Sequence, residues 1–151
     1  MEWFTRDWHY GRLSDAEWER RAQSYDRHAA VLRSELPPDQ QWLVGMDLHD
    51  AQVQSWHVGP DEFHWELLTG DLQRGYRITS VTYFLAGLVG ATAADLDDWR
   101  LTERGELLSD EVAKVSNGLE HRFIFDVGSE FGVRFNHASV RYQAADAALR
   151  R

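Results

Sequence analysis

"AQVQSWHVGPDEFHWELL", residues 51–68, alternates apolar and polar side chains on either side of the turn signal Gly59-Pro60-Asp61. A period of two marks a half-buried strand, and two such runs around a short turn read as a β-hairpin. With Pro60 and Asp61 as the turn, Trp56 lies opposite Trp65 and Val58 opposite Phe63 on one face, while His57 lies opposite His64 on the other. The aromatic pair is the core face of a sheet. A longer loop around Pro60 would break this register.

Upstream, the period is that of a helix. Ser14 and Glu17 stand three apart as a capping box, and Trp18, Ala22, Tyr25, Ala29, Leu32 and Leu36 recur at spacings of three and four to form one apolar stripe. Pro37-Pro38 ends it. Downstream, "GYRITSVTYFLAGLVG" (75–90) reads as a strand ending near Gly87, followed by a mixed stretch with a short helix around 93–99 and a weak strand or two. "LEHRFIFDV" (119–127) alternates, with Leu119, His121, Phe123, Phe125 and Val127 on one face and Glu120, Arg122 and Asp126 on the other. "FGVRFNHASVRYQ" (131–143) repeats the pattern with a slip that a bulge near Asn136 would explain, and residues 144–151 read as a frayed helical tail. One helix leading into hairpin-linked strands predicts an α+β domain, the N-terminal amphipathic helix packed on a mostly antiparallel sheet. No repeat or linker divides residues 1–151, so one domain is expected, and a chain of this length buries roughly 68 to 70% of its unfolded surface unaided.

Composition narrows the function classes. Without cysteine there is no disulfide, thiolate-held metal or thiol nucleophile. No apolar run reaches 18 residues, and the opening stretch is charged throughout, so a cytoplasmic protein outside the membrane is expected. A net charge of −9 argues against nucleic acid and anionic membrane and toward a basic partner. Seven tryptophans could build either an aromatic core or a binding surface.

Two sets of residues are candidates for chemistry. His49, Asp50, His57, His64 and Glu66 carry the ligand types of zinc or a similar ion, and would serve a metal-dependent hydrolase or a metal-binding protein if they converged. His49 and Asp50 share the letters of the HD-type phosphohydrolase dyad, but that superfamily mounts its dyad on helices, whereas Ala51, Val53 and Ser55 alternate as a strand. An Asx-type turn at Asp50 and a backbone hydrogen bond from His49 are the structural alternative. The second set lies in residues 95–111, where Asp95, Asp97, Asp98, Glu103, Glu106, Asp110 and Glu111 against Arg100 and Arg104 carry −5 of the chain's charge. Trp99 within that run makes Asp95, Asp97, Asp98, Trp99, Glu103 and Glu106 a surface for a basic protein partner, an aromatic anchor ringed by carboxylates. Phosphate loops, nucleophile elbows, H-E-x-x-H and EF-hand loops are missing from the sequence, and no cofactor is expected.

The opening "EWFTRDWHYGRL" (2–13) resembles the start of a family of uncharacterised bacterial proteins, a domain of unknown function that opens with an aromatic-Thr-x-x-Trp-Tyr-like block; here His9 stands between Trp8 and Tyr10. "LHDAQVQSWHV" (48–58) is similar to a His-Asp-Ala-x-Val segment of small bacterial proteins, including immunity proteins of polymorphic toxin systems. These resemblances imply a small bacterial cytosolic α+β protein, with immunity-type binding as one possibility. Three functions are therefore carried forward: a non-enzymatic domain that binds a basic protein, a metal-dependent protein using the His/Asp/Glu set, and a small-ligand carrier with an aromatic-lined pocket.

Overall fold

The hairpin around Pro60 forms in the expected register. In the computed structural model, which describes residues 1–126 and 128–150 apart from the Arg104 side chain, β1 (Ala51–Val58) pairs with β2 (Glu62–Asp71), Trp56 opposite Trp65, His57 opposite His64 and Val58 opposite Phe63. Between Val53 and Ser55 the register shifts by one, a bulge at Gln54 that bends the strand. β3 (Gly75–Phe84) completes a meander with β2.

Four later features differ from expectation. β3 stops at Phe84 because Leu85 adopts a left-handed backbone (φ 50°), and after Ala86 a separate strand begins, β4 (Gly87–Val89). The charged stretch after the short helix α3 (Ala93–Asp98) and the turn of helix α4 (Leu101–Arg104) contains a full ten-residue strand, β5 (Glu106–Val115), rather than weak strand. β6 (Gly118–Phe125) follows, and residue Val127 of the expected strand face lies outside the described residues. At Asn136 the chain makes a corner instead of a bulge, separating β7 (Glu130–Phe135) from β8 (His137–Ala145), and the Asn136 amide donates to the Phe84 carbonyl at 3.2 Å. The tail expected to be helical is strand through Ala145, then one 3₁₀ turn, Ala147–Leu149. The protein is thus α+β, with an N-terminal helix and one eight-stranded antiparallel sheet in the order β4-β7-β6-β5-β1-β2-β3-β8.

That sheet folds onto itself. β1 and β5 share only the pairs Ala51–Leu107 and Gln52–Glu106, so the four strands on either side can turn their apolar faces toward each other. Trp65 meets Phe123 edge-on with ring centroids 4.4 Å apart, Tyr83 meets Phe135 at 4.8 Å, and Phe63 meets Phe131 at 6.1 Å. All six rings are buried, and edge-to-face pairs of this kind add about 0.5–1.5 kcal/mol each beyond the area they bury. Leu96 and Leu101 from α3 and α4, Leu43 from the end of a 3₁₀ turn (Pro38–Leu43), and Val44 and Leu48 from the chain after it pack into the same core.

After the single helical turn α1 (Arg6–His9), helix α2 (Asp15–Glu35) starts where the Ser14 hydroxyl accepts the Glu17 amide. Its stripe divides its work. Leu32 and, at the helix end, Leu36 enter the core, whereas Trp18 and Tyr25, joined by His28 from outside the stripe, pack on aromatics of the first ten residues: Trp8 stacks on Trp18 at 4.7 Å, Phe4 meets Tyr25 at 4.7 Å, and Trp3 stacks on His28 at 4.6 Å. Among the described residues, no helix is long and apolar enough to cross a membrane.

On the opposite face of β6 from the aromatics, Glu120 is almost fully buried between Arg122 (2.6 Å) and Arg134 (2.6 Å). Burial alone would raise its carboxyl, but hydrogen bonds from the two guanidiniums outweigh that and hold it below the ordinary 4.5. A depressed carboxyl stabilises the fold above its unfolded value and stops doing so as pH falls through the folded one. Glu120→Gln should therefore cost about 1 kcal/mol at neutral pH, and the gap between variant and wild type should close below about pH 4.5, as read from urea unfolding across pH.

Candidate functional site

His49 and Asp50 sit where β1 is launched. Asp50 takes a left-handed backbone (φ 60°), which aspartate tolerates better than most residues, and its amide donates to the Leu107 carbonyl at 2.8 Å. His49 Nδ1 lies 2.9 Å from the Leu108 carbonyl. A carbonyl can only accept, so Nδ1 carries the proton. On the same open edge of β5, His28 Nε2 donates to the Val112 carbonyl, also at 2.9 Å. Two histidines thus bond the edge that β1 leaves when it diverges, as buried or half-buried backbone polar groups require. His49 Nδ1 is 3.4 Å from the Asp50 carboxylate, with both side chains more than half exposed.

A cleft of about 320 Å³ lies between α2 and the chain leading to His49, lined by Tyr25, Asp26, Asp47, His49, Ser109 and Asp110. On the far side of His49, a second cleft of about 420 Å³ faces the β2–β3 turn, where Asp71, Arg74 and Arg77 stand. Burial, then the charges of Asp110 and Glu111, pushes the Tyr25 hydroxyl well above its ordinary value, so it stays protonated. His9 is pushed down by burial first and then by His49 and Arg6.

The five candidate ligands do not converge. His49 and Asp50 precede β1 and His57 lies near its far end, which at the rise of an extended strand is on the order of 25 Å away. His57 and His64 face each other as the register requires, but His64 Nδ1 is engaged by the Thr82 hydroxyl at 2.9 Å, and Glu66 accepts from Ser55 and Ser80. Among the described residues, no three His, Asp or Glu side chains come together as a metal-holding group. The aromatic-lined pocket fares similarly: the rings that would line it fill the core against one another.

The acidic residues reach the surface with different duties. Asp95 closes a capping box, its carboxylate accepting from the Thr92 amide and hydroxyl at 2.7 Å each while Thr92 accepts the Asp95 amide, and these bonds hold its carboxyl below the ordinary range. Glu103 pairs with Arg100, and Glu106 with Arg150. Trp99 is half-buried and turned inward, its ring 6.4 Å from that of Phe131. Asp97 and Asp98 are exposed, and no ion pair engages either among the described residues.

Two acids counted in that run turn inward. Glu111 is fully buried and accepts the amides of Glu2 (2.8 Å), Trp3 (2.7 Å) and Phe4 (2.8 Å), pinning the first residues across the sheet. Asp110 accepts from His121 Nε2 at 2.7 Å, and His121 Nδ1 then accepts the Tyr83 hydroxyl at 2.9 Å. His121 and Tyr83 are wholly buried, and burial, reinforced by Asp110, drives the Tyr83 hydroxyl far up. A polar chain therefore runs from inside the aromatic core to the floor of the smaller cleft. One signal in the sequence pointed to it: a histidine in the middle of an apolar strand face needs a partner.

Compared with known proteins, the chain matches no family model, no curated protein and no solved structure.

Proposed function

We propose that this chain is a non-enzymatic, cytoplasmic protein-binding domain that takes a basic protein partner on the acidic face of α3 and α4, with immunity-type binding as the form its resemblance suggests. The observation that carries the reading is the exposed pair Asp97 and Asp98 on a helix whose other side is anchored by Leu96 and Trp99. Carboxylates held on a fixed support need no ordering when a cation arrives, which lowers the cost of binding. The net charge of −9 adds long-range attraction for a cationic partner.

The test is affinity capture with the wild-type chain and with an Asp97→Asn/Asp98→Asn variant, followed by stopped-flow association of the purified partner at low and high salt. The expected partner is basic, associates roughly tenfold or more slowly when salt is raised, and binds the variant several-fold more weakly. An association rate indifferent to salt, or a variant that binds like wild type, would remove the acidic face from the account.

A further inference from the structure

β8 is one edge of the sheet, and its outward side is only partly covered. In an antiparallel ladder, alternate residues point their N–H and C=O groups toward and away from a given neighbour. Ala138 points away from β3, because its amide donates to the Gln40 side-chain oxygen at 2.9 Å and its carbonyl accepts from the Gln40 amide nitrogen at 2.8 Å. Gln40 thus closes that end of the edge in the manner of a short strand. Val140, Tyr142 and Ala144 follow at the same parity, and no hydrogen bond to their outward groups is found among the described residues. Beyond Ala145 the chain turns, with Asp146 capping the 3₁₀ turn. The open window therefore runs from Val140 to Ala144 with three outward-pointing residues, is blocked at both ends and is centred on Tyr142.

An edge of this kind is a template for another strand. We propose that its occupant is β8 of a second copy of this chain, paired antiparallel about a twofold axis at Tyr142. In that register Tyr142 faces Tyr142 of the other copy, Val140 faces Ala144, and Arg141 faces Gln143. All six outward backbone groups are used. Both neighbouring registers are worse: pairing Val140 with Tyr142 would set Arg141 directly against its own copy, where like charges destabilise a sheet, and pairing Tyr142 with Ala144 would set Val140 against Asp146, which caps the 3₁₀ turn. Tyr142 is half exposed, and its ring already carries the Arg77 guanidinium 4.5 Å from its centroid, so the aromatic pair would be flanked by two cations that the rings themselves hold. The contact is self-complementary, as a closed twofold interface requires. It leaves the α3 face free, so it stands or falls separately from binding of a basic partner.

Sedimentation equilibrium of the full chain from about 1 to 300 µM tests it directly, with two variants. Tyr142→Pro removes an outward N–H while leaving the bonds to β3 intact, a position where an edge strand accepts proline. Gln143→Glu places a carboxylate opposite Arg141 twice per dimer. Wild type should form a dimer in this range, Tyr142→Pro should be monomeric throughout, and Gln143→Glu should tighten the dimer roughly three- to tenfold. A gain in affinity cannot come from misfolding, so the second variant holds even if the first unfolds. A wild type that stays monomeric, a dimer that survives Tyr142→Pro in a folded protein, or a Gln143→Glu variant no tighter than wild type would overturn the proposal.

Discussion

Replacing Glu111 with alanine is expected to lower the unfolding free energy by about 3 to 5 kcal/mol and the melting temperature by roughly 10 °C. The carboxylate is buried and accepts amides from three consecutive residues, Glu2, Trp3 and Phe4. Hydrogen bonds to a charged acceptor are about twice as strong as neutral ones, and each orphaned amide would cost about 1–3 kcal/mol if it stayed buried. The segment has an escape, since it can peel into water, and the loss is then limited to its docking energy. Peeling would uncover Trp3 and Phe4 and, with them, Tyr25 and His28 on α2. Hydrogen exchange should accordingly rise at residues 2–10 and along α2 through His28 more than in β6. Glu111→Gln should be damaging too, because its NH₂ group would confront backbone donors. A Glu111→Ala protein with wild-type melting and unchanged protection at residues 2–10 would show that the aromatic contacts alone hold the segment.

The second large effect is expected at His121. His121→Phe conserves most of the volume but leaves the Tyr83 hydroxyl orphaned inside a fully buried aromatic cluster, at a cost of about 2–4 kcal/mol. Asp110 fares better, since its side chain reaches the cleft and can turn toward water. Adding Tyr83→Phe removes the orphan, and the double variant should recover about 1–2 kcal/mol relative to the sum of the single ones, because taking both partners away from a buried bond is nearly neutral. Denaturant unfolding of the four proteins measures the coupling. Strict additivity would mean that the Tyr83 hydroxyl is satisfied elsewhere and that the chain from core to cleft is not a unit.

Particular residues show how far the sequence could be read. The Trp56–Trp65 register was legible because alternation and turn position are both local, and the aromatic pair agrees with both. Helix α2 was legible from its cap and its stripe. β5 was obscured by its own polar residues: Asp110 and Glu111 read as part of a solvated acidic run, and they became strand residues only because His121 and the first amides of the chain reach them across more than ten and more than a hundred positions. The metal set shows the complementary limit: ligand types spread over two strands and the turn before them say nothing about whether they meet, and among the described residues they form no metal-holding group. His49 and Asp50 do have a role, but it is to start β1 and bond the edge of β5.

Alternation, capping and proline placement by themselves determined that this chain is an N-terminal helix followed by antiparallel strands, since those signals act over a few residues and owe little to the rest of the fold. Only the tertiary structure decided that Leu85 and Asn136 are corners, that the sheet closes on its own aromatic face, and which carboxylates are buried and which remain at the surface. Those outcomes depend on contacts between residues far apart in the chain, where the free energy of a buried charge is set by a partner that no local pattern names.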